Sequence, residues 1–515
     1  MRASRNAAIL CAIVLGGLAL RAYNLGGESL WFDEGITAFT SRMAVPDLLR
    51  TCAATDHVPA YYLALKGWCA AFGRSEAALR SLSALFGVLS LLLMYQIGAT
   101  LFRARVGLLA ALLMALSVFH IRHAQEARMY SLLLVASMTS MCFFLRVLAG
   151  PRRWDSLGYV LSTALVMYIH PYGITTVATQ NAFFLTELLV CRTDRRVSLK
   201  HWVLLQAAVV ALYAPWIPTV CTQAARAASS KLHLHVRDPI WLVAGHTLAV
   251  FSGYFVPLLA LLLVLSVLSV VRVERTQGKV AWRRLFLSLE DSRWSVRVAD
   301  LRSNYLAAVW LVMPWVVVAT AGLVLAPIFE FRCAIASASG FYLLAANGLA
   351  SLRSKRAWWV VLLGVVALHV PPLWRYYTVV GKEPWREVVG HVDAHARPGD
   401  LVLLNCPDLK PLLFDYYTTR TDLVAMAFPR PDSDLLHSRS EVTAEDAEEL
   451  GPLVEKHARI WVIISHYGKD AFRITDALSK LCEKREFKEW RPPSQAGHAS
   501  AIYLYMFERK PGPAR

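Results

Sequence analysis

Long apolar blocks separated by short polar connections fill the first three-quarters of this chain. They fall at residues 7–22, 79–100, 107–121, 131–148, 156–170, 172–190, 201–220, 255–271, 305–326, 333–351 and 357–374. A bilayer core of roughly 30 Å takes about 20 helical residues to cross, so the pattern predicts about eleven transmembrane helices, several of them short. Beyond residue 375 the period changes. Residues 401–405, after the Pro398-Gly399 turn, read as a buried strand, and 460–464 and 501–507 as two more. Helical patterns open at Pro384-Trp385, cover 441–458 and lie near 470–487. Strands alternating with helices predict a small α/β domain. The expected fold class is a membrane all-α bundle over 1–375, with a long outer loop at 23–78, plus a small C-terminal extracytoplasmic α/β domain over 376–515.

Composition supports the membrane reading, because 56% hydrophobic and 18% charged residues over 515 positions is too apolar for one soluble domain. The net charge of +17 suggests nucleic acid at first. Residues 381–515, however, hold 19 Lys/Arg against 21 Asp/Glu, so the whole positive excess lies among the apolar blocks. There it falls on alternate connections: Arg103 and Arg105; Arg146, Arg152 and Arg153; Arg192, Arg195, Arg196 and Lys200; the 272–304 segment; and Arg353, Lys355 and Arg356. This is the positive-inside pattern, reinforced by anionic lipid headgroups. Nucleic acid drops out as a partner. An odd span count then places the N-terminus in the cytoplasm, and the 23–78 loop and C-terminal domain outside a plasma (inner) membrane. Arg2 and Arg5 ahead of a short first block also fit a signal-peptide core, although no clear A-x-A site follows.

Nine cysteines form no C-x-x-C pair and no zinc-like spacing with histidine. Cys52 with Cys69, and Cys406 with Cys482, could be disulfides on an oxidising face, or small buried thiols. No G-x-G-x-x-G follows a strand, and no internal repeat is evident.

Trp31-Phe32-Asp33-Glu34 sets two adjacent carboxylates about ten residues beyond the first block. Acids beside a span add little to orientation and nothing to burial, so this pair suits chemistry at the membrane surface. The stretch from Arg21 through Tyr23, Asn24, Gly26 and Gly27 to Asp33-Glu34 resembles the first outer loop of the bacterial multi-span glycosyltransferases. That family, of C-type fold, is similar to protein O-mannosyltransferases and the lipid A aminoarabinose transferase. Asp56-His57-Val58-Pro59-Ala60-Tyr61-Tyr62, followed by Trp68, Gly73 and Arg80, resembles the family's His/Lys-Pro-Pro-x-Tyr segment. His123-Ala124-Gln125-Glu126-Ala127-Arg128-Met129-Tyr130 resembles its second outer acidic motif. Pro384-Trp385-Arg386 and Phe329-Glu330-Phe331-Arg332 are also family-like, so the resemblance runs from about residue 15 to about 420.

The resemblance implies a polyprenyl-phosphate sugar donor and inverting transfer to a hydroxyl acceptor on the outer face. The acceptor class stays open among lipid, polysaccharide and protein. Such a donor departs as a phosphate monoester with a second pKa of about 6, a leaving group that needs its charge neutralised more than it needs a proton. One carboxylate must take the acceptor's proton, worth roughly 10²–10⁴-fold, and cations must hold the phosphate.

Asp33 is the candidate catalytic base. The plainer reading is a helix N-cap or a solvated loop acid, since Glu34-Gly35-Ile36-Thr37 could open a helix. Glu34, which cannot face the same way on a helix, is the supporting candidate: it positions acceptor, binds a divalent cation or stabilises the first turn. His57 stands near the donor phosphate by resemblance, or is a loop histidine. With Asp56 it is a weak metal candidate. Tyr62 packs against lipid or sugar, or belongs to the interfacial belt. Arg128 offers a planar fork for phosphate and Glu126 orients sugar or a basic neighbour, unless both are structural. His123 reads as structural. Arg332 is a second phosphate clamp or a snorkelling side chain; relatives often follow this arginine with Tyr, whereas Cys333 stands here. His170 could face the same cavity. Two rival classes remain, a multi-span transporter or lipid flippase and a non-catalytic scaffold. A transporter should show midplane charges and two related halves, and neither is evident in the sequence.

Overall fold

The computed structural model describes the chain except residues 1, 56, 191–196, 230–239, 276–293, 299, 325–330, 380, 430–442, 444–445, 447, 466–470, 493–500 and 511–515. Helices α1 (Arg2–Ala22), α2 (Phe32–Thr40), α3 (Val45–Ala54), α4 (Ala60–Phe72), α5 (Glu76–Leu101), α6 (Ala104–Leu116), α7 (Val118–Ala124) and α8 (Tyr130–Ala149) open the chain. They are followed by α9 (Arg153–Ile169), α10 (Ile174–Val190), α11 (Leu199–Tyr213), α12 (Ile217–Ser229), α13 (Ile240–Phe251) and α14 (Val256–Val270). After these come α15 (Leu301–Val324), α16 (Ala338–Ser351) and α17 (Lys355–Thr378). The described part of each expected apolar block is largely helical. Among the described residues, five helical stretches can cross a membrane by length and composition: Ala3–Ala22, Glu76–Leu101, Tyr130–Ala149, Leu199–Arg226 and Lys355–Thr378. Counting each bent pair as one span, α6 with α7 (66°) and α13 with α14 (103°), raises the number to seven. The chain is an integral membrane protein, mostly helical, with a small C-terminal sheet. Within the basic 272–304 segment, β1 (Val271–Arg275) pairs antiparallel with β2 (Trp294–Val298).

The chain folds as two compact units. The bundle unit gathers Met1–Tyr23, Asp56–Ala64 and Arg80–Trp374. In it α14 and α16 approach so closely that a Cβ on Gly348 would strike the Leu265 carbonyl, the small-residue packing typical of membrane helices. The break between α6 and α7 is braced from α1. Arg21, fully buried, donates to the carbonyls of Met114 (3.1 Å) and Ala115 (3.2 Å), which lie in the last turn of α6. Gly17 and Gly87 leave it room, since a Cβ on either would press on the guanidinium or its stem. The brace is reciprocal: Gln125, just past α7, donates to the carbonyls of Leu20, Arg21 and Tyr23 at the end of α1. Helix ends leave such carbonyls without intrahelical partners. Here side chains supply them.

The second unit gathers Asn24–Thr55, Leu65–Leu79 and Arg375–Arg515, so pieces of the first loop and the C-terminal segment pack together. Its sheet runs β4 (Val424–Ala427), β3 (Leu401–Leu404), β5 (Arg459–Ile464), β7 (Ile502–Arg509), β6 (Cys482–Trp490). β3 is parallel to both neighbours, and the β5–β7 and β7–β6 pairs are antiparallel. The central β3 and β5 are buried throughout, as a continuous apolar run on a covered parallel strand requires. Leu401, Leu403, Ile460, Val462 and Ile464 meet α19 (Leu450–Lys456) and α20 (Arg473–Leu481) on one face. On the other face Trp461 meets His391 of α18 (Trp385–His395) at 6.2 Å between rings. Gly399, at φ +81°, makes the expected turn into β3.

Two expectations for this unit are corrected. Residues 482–487 are not helix but the start of edge strand β6, and 424–427 is a strand the pattern did not show. Cys482-Glu483-Lys484-Arg485-Glu486 exposes charge from an edge, a common guard against unwanted pairing, and so mimics a helix surface. In the expected 441–458 helix the described helix Leu450–Lys456 ends two residues early, and residues 441–442, 444–445 and 447 lie outside the described residues. Cys52, Cys69, Cys406 and Cys482 are buried free thiols. Burial pushes Cys52 up to about 12 and Cys406 up to about 11.

Candidate active site

The candidate residues divide between the units. Asp33 and Glu34 occupy the first turn of α2, whose N-cap is Trp31. Asp33 is therefore not the cap, and both acids sit where the helix dipole favours negative charge. Adjacent helical positions diverge, and their burial does too: Asp33 is half-buried and Glu34 fully buried. Glu34 Oε2 lies 3.1 Å from Lys382 Nζ, and the lysine side chain is only 14% exposed. A buried carboxylate needs such a partner. Packing fixes the turn further, because a Cβ on Gly35 would come within 3.1 Å of the Leu412 carbonyl in the π-helical turn Lys410–Phe414.

The approach to α2 is fastened mainly by the first turn of α18. Arg386 donates to Glu76 Oε1 (2.7 Å) and to the carbonyls of Gly26 (3.1 Å) and Gly27 (3.3 Å). Burial opposes its charge, but Glu76 outweighs burial and holds the guanidinium above its usual pKa. Ser29 Oγ donates to Glu387 (3.0 Å), and the Leu30 amide donates to the Tyr417 hydroxyl (2.6 Å).

In the bundle unit, His57 and Tyr62 meet edge to face at 5.5 Å, with His57 half-buried and Tyr62 buried. Tyr61 reaches Ser83 on α5 (3.0 Å), and Ser83 donates to the Arg128 carbonyl (3.1 Å). That bridge joins the His57 segment to the turn after α7. Glu126 and Arg128 are both buried there. Glu126 binds neighbours on α7, taking Arg122 Nε at 3.2 Å and facing His123 Nδ1 at 3.3 Å. Tyr130, opening α8, gathers the rest: His123 at 5.0 Å and His170 at 6.0 Å between rings, with the Arg332 guanidinium 5.7 Å over its face. A cation within about 6 Å of a ring centroid is held by the ring quadrupole. Glu126, Arg128 and Arg332 thus gather around one turn and its tyrosine. Asp56 lies outside the described residues. Among the described residues no group of three or more His, Cys, Asp or Glu side chains could hold a metal.

The family model described as dolichyl-phosphate-mannose-protein mannosyltransferase matches residues 56–218, a stretch that includes His57, Tyr62, Glu126 and Arg128. No curated protein sequence matches the chain. Among solved structures, the chain is similar to ArnT from Cupriavidus metallidurans in the apo state, with 12% identity over 98% of this chain and 98% of that chain and a TM-score of 0.62. The same protein bound to undecaprenyl phosphate gives 13% identity, 96% and 97% coverage and a TM-score of 0.61. The Archaeoglobus fulgidus oligosaccharyltransferase, in complex with zinc and sulfate, gives 12% identity, 88% and 67% coverage and a TM-score of 0.52. At such identities the likeness is one of fold. The chain has the C-type glycosyltransferase fold that its motifs resemble.

Sequence reasoning missed Lys382 and the fastening roles of Arg386 and Glu76. Lys382 offers no local pattern; only its place beside Pro384-Trp385-Arg386 hinted at it. Gln125 and Tyr130 were quoted within a motif, but their work became visible only with the helices in place.

Proposed function

We propose that this chain is an inverting membrane glycosyltransferase, moving a sugar from a polyprenyl-phosphate donor to a hydroxyl acceptor at the outer face. The observation that carries the reading is the pair of acids on the first turn of α2, in a chain that shares the C-type fold from end to end. Asp33 takes the acceptor's proton as the acceptor oxygen bonds to the anomeric carbon. The bond from that carbon to the phosphate oxygen breaks, and its electron pair leaves with the polyprenyl phosphate. Arg128 and Arg332 neutralise the departing phosphate, with His57 and Tyr62 lining its approach. Glu126 holds Arg122 and so shapes the turn that carries Arg128. The topology we infer is about eleven spans with a cytoplasmic N-terminus and an outer C-terminal unit.

Asp33→Asn in purified protein tests the assignment. Sugar transfer from polyprenyl-phosphate donors should fall roughly 10²–10⁴-fold, with thermal stability unchanged. Retained transfer by the folded variant would remove Asp33 from the role of base.

A further inference from the structure

Lys382 and Glu34 are 348 positions apart in the chain and meet at 3.1 Å, the carboxylate fully buried and the lysine nearly so. The surroundings are acid-rich. Lys382's own amide donates to Glu28 Oε1 (3.3 Å), and the next residue, Glu383, is fully buried and accepts from Trp385 Nε1 (2.9 Å). Nearby cations are otherwise engaged: Arg386 holds Glu76, and Lys410, on the turn packed against α2, holds Asp415 at 2.8 Å. Arg42, beyond the far end of α2, lies over the Tyr416 ring, and Asp408 adds a further buried acid before that turn. Lys382 brings a cation to the first turn of α2.

We propose that Lys382 is a positioning residue for transfer: by neutralising Glu34 it keeps the adjacent Asp33 in its carboxylate form, able to accept a proton, down to lower pH. The inference rests on the glycosyltransferase reading above. A like charge next to a carboxylate makes it hold its proton to higher pH, and an opposite charge within about 4–6 Å does the reverse. Glu34 with Lys382 presents no net charge to Asp33. Glu34 alone presents a buried anion one residue away. Glu34 is then a charge partner rather than a second proton-transfer group.

The test is a double-mutant cycle of Lys382→Met, Glu34→Gln and both together, read by thermal unfolding and by kcat/KM against pH. Lys382→Met should lower Tm and move the acid limb of the profile upward by about one pH unit. Adding Glu34→Gln should recover both. An acid limb that stays in place in Lys382→Met would reduce the pair to structural glue and overturn the proposal. So would failure of Glu34→Gln to recover transfer in a chain whose Tm it restores, because Lys382 would then act on substrate directly. Loss of transfer in folded Glu34→Gln that Lys382→Met does not restore would make Glu34 the reacting group, which also overturns it. No transfer by the wild-type chain from any polyprenyl-phosphate sugar overturns the underlying reading and the positioning role with it. A Tm recovered in the double variant would then still report the ion pair, so the two failures are distinguishable.

Discussion

Between α8 and α11 a ladder of neutral side chains crosses the bundle. Thr163 meets Ser140 (2.7 Å), Gln180 donates to Ser140 (2.8 Å), and Tyr159 donates to Gln180 (3.1 Å). Gln206 donates to Tyr159 (2.9 Å), Asn181 to Gln206 (3.1 Å), and Trp202 to Asn181 (3.0 Å). The turn between α7 and α8 is made of different material, with Arg122, Glu126 and Arg128 close together and Arg332 over Tyr130. Both regions bury polar groups away from water, where one without a partner is costly. The ladder is continuous, each group serving as partner to the next, which is what helix glue requires. Charges cost more to bury, and a chain retains them where an ionic substrate needs them. Charge alone does not mark function, however. Arg21 is as buried as any, and it spends its donors on Gly17, Met114, Ala115 and His120.

The sharpest way to break this contrast is Arg128→Met. If Arg128 neutralises the departing phosphate, transfer should fall roughly 10²–10³-fold, the scale of removing one electrostatic stabiliser, while Tm changes little. Arg128→Lys should recover only part of the rate, because a point charge replaces the planar fork. A large fall in Tm with proportionate loss of activity would move Arg128 to the structural side.

Gln180→Leu is the opposite prediction. It removes the donor to Ser140 and the acceptor for Tyr159 at once, and should cost about 1–2 kcal/mol of stability by the upper range for such bonds in membranes. Transfer per folded molecule should stay at the wild-type level. Lost transfer in a variant of unchanged stability would show that the ladder reaches the chemistry.

Much of this contrast was legible before any coordinates. The described parts of the apolar blocks are largely helix, the turn at Gly399 and the strands at 401–404 and 459–464 stand where the pattern puts them, and Asp33-Glu34 opens a helix. Local periodicity carries those features. The edge strand at Cys482–Trp490 was hidden because its alternation is drowned by surface charge. The Lys382–Glu34 and Arg386–Glu76 contacts were hidden for another reason, since they join segments more than 300 positions apart. The ladder fell between these cases. Its glutamines and serines were visible, but within blocks whose mean hydropathy made them look incidental.

The finest distinction concerns how much one rung of that ladder contributes. Trp202 stacks on Phe184 at 4.5 Å and donates to Asn181, so Trp202→Phe alone mixes lost packing with a lost hydrogen bond. A cycle with Asn181→Leu separates them, because the coupling term retains only what the two residues do together. It should come to about 0.6 kcal/mol, the average for interhelical hydrogen bonds in a membrane bundle. A value that small means that the ladder stabilises by number of rungs rather than by strength, and that any single rung can be lost without touching catalysis. A coupling near zero would mean that Asn181 finds an equivalent partner when Trp202 is gone. The ladder would then select which helices pair without adding to how tightly they hold.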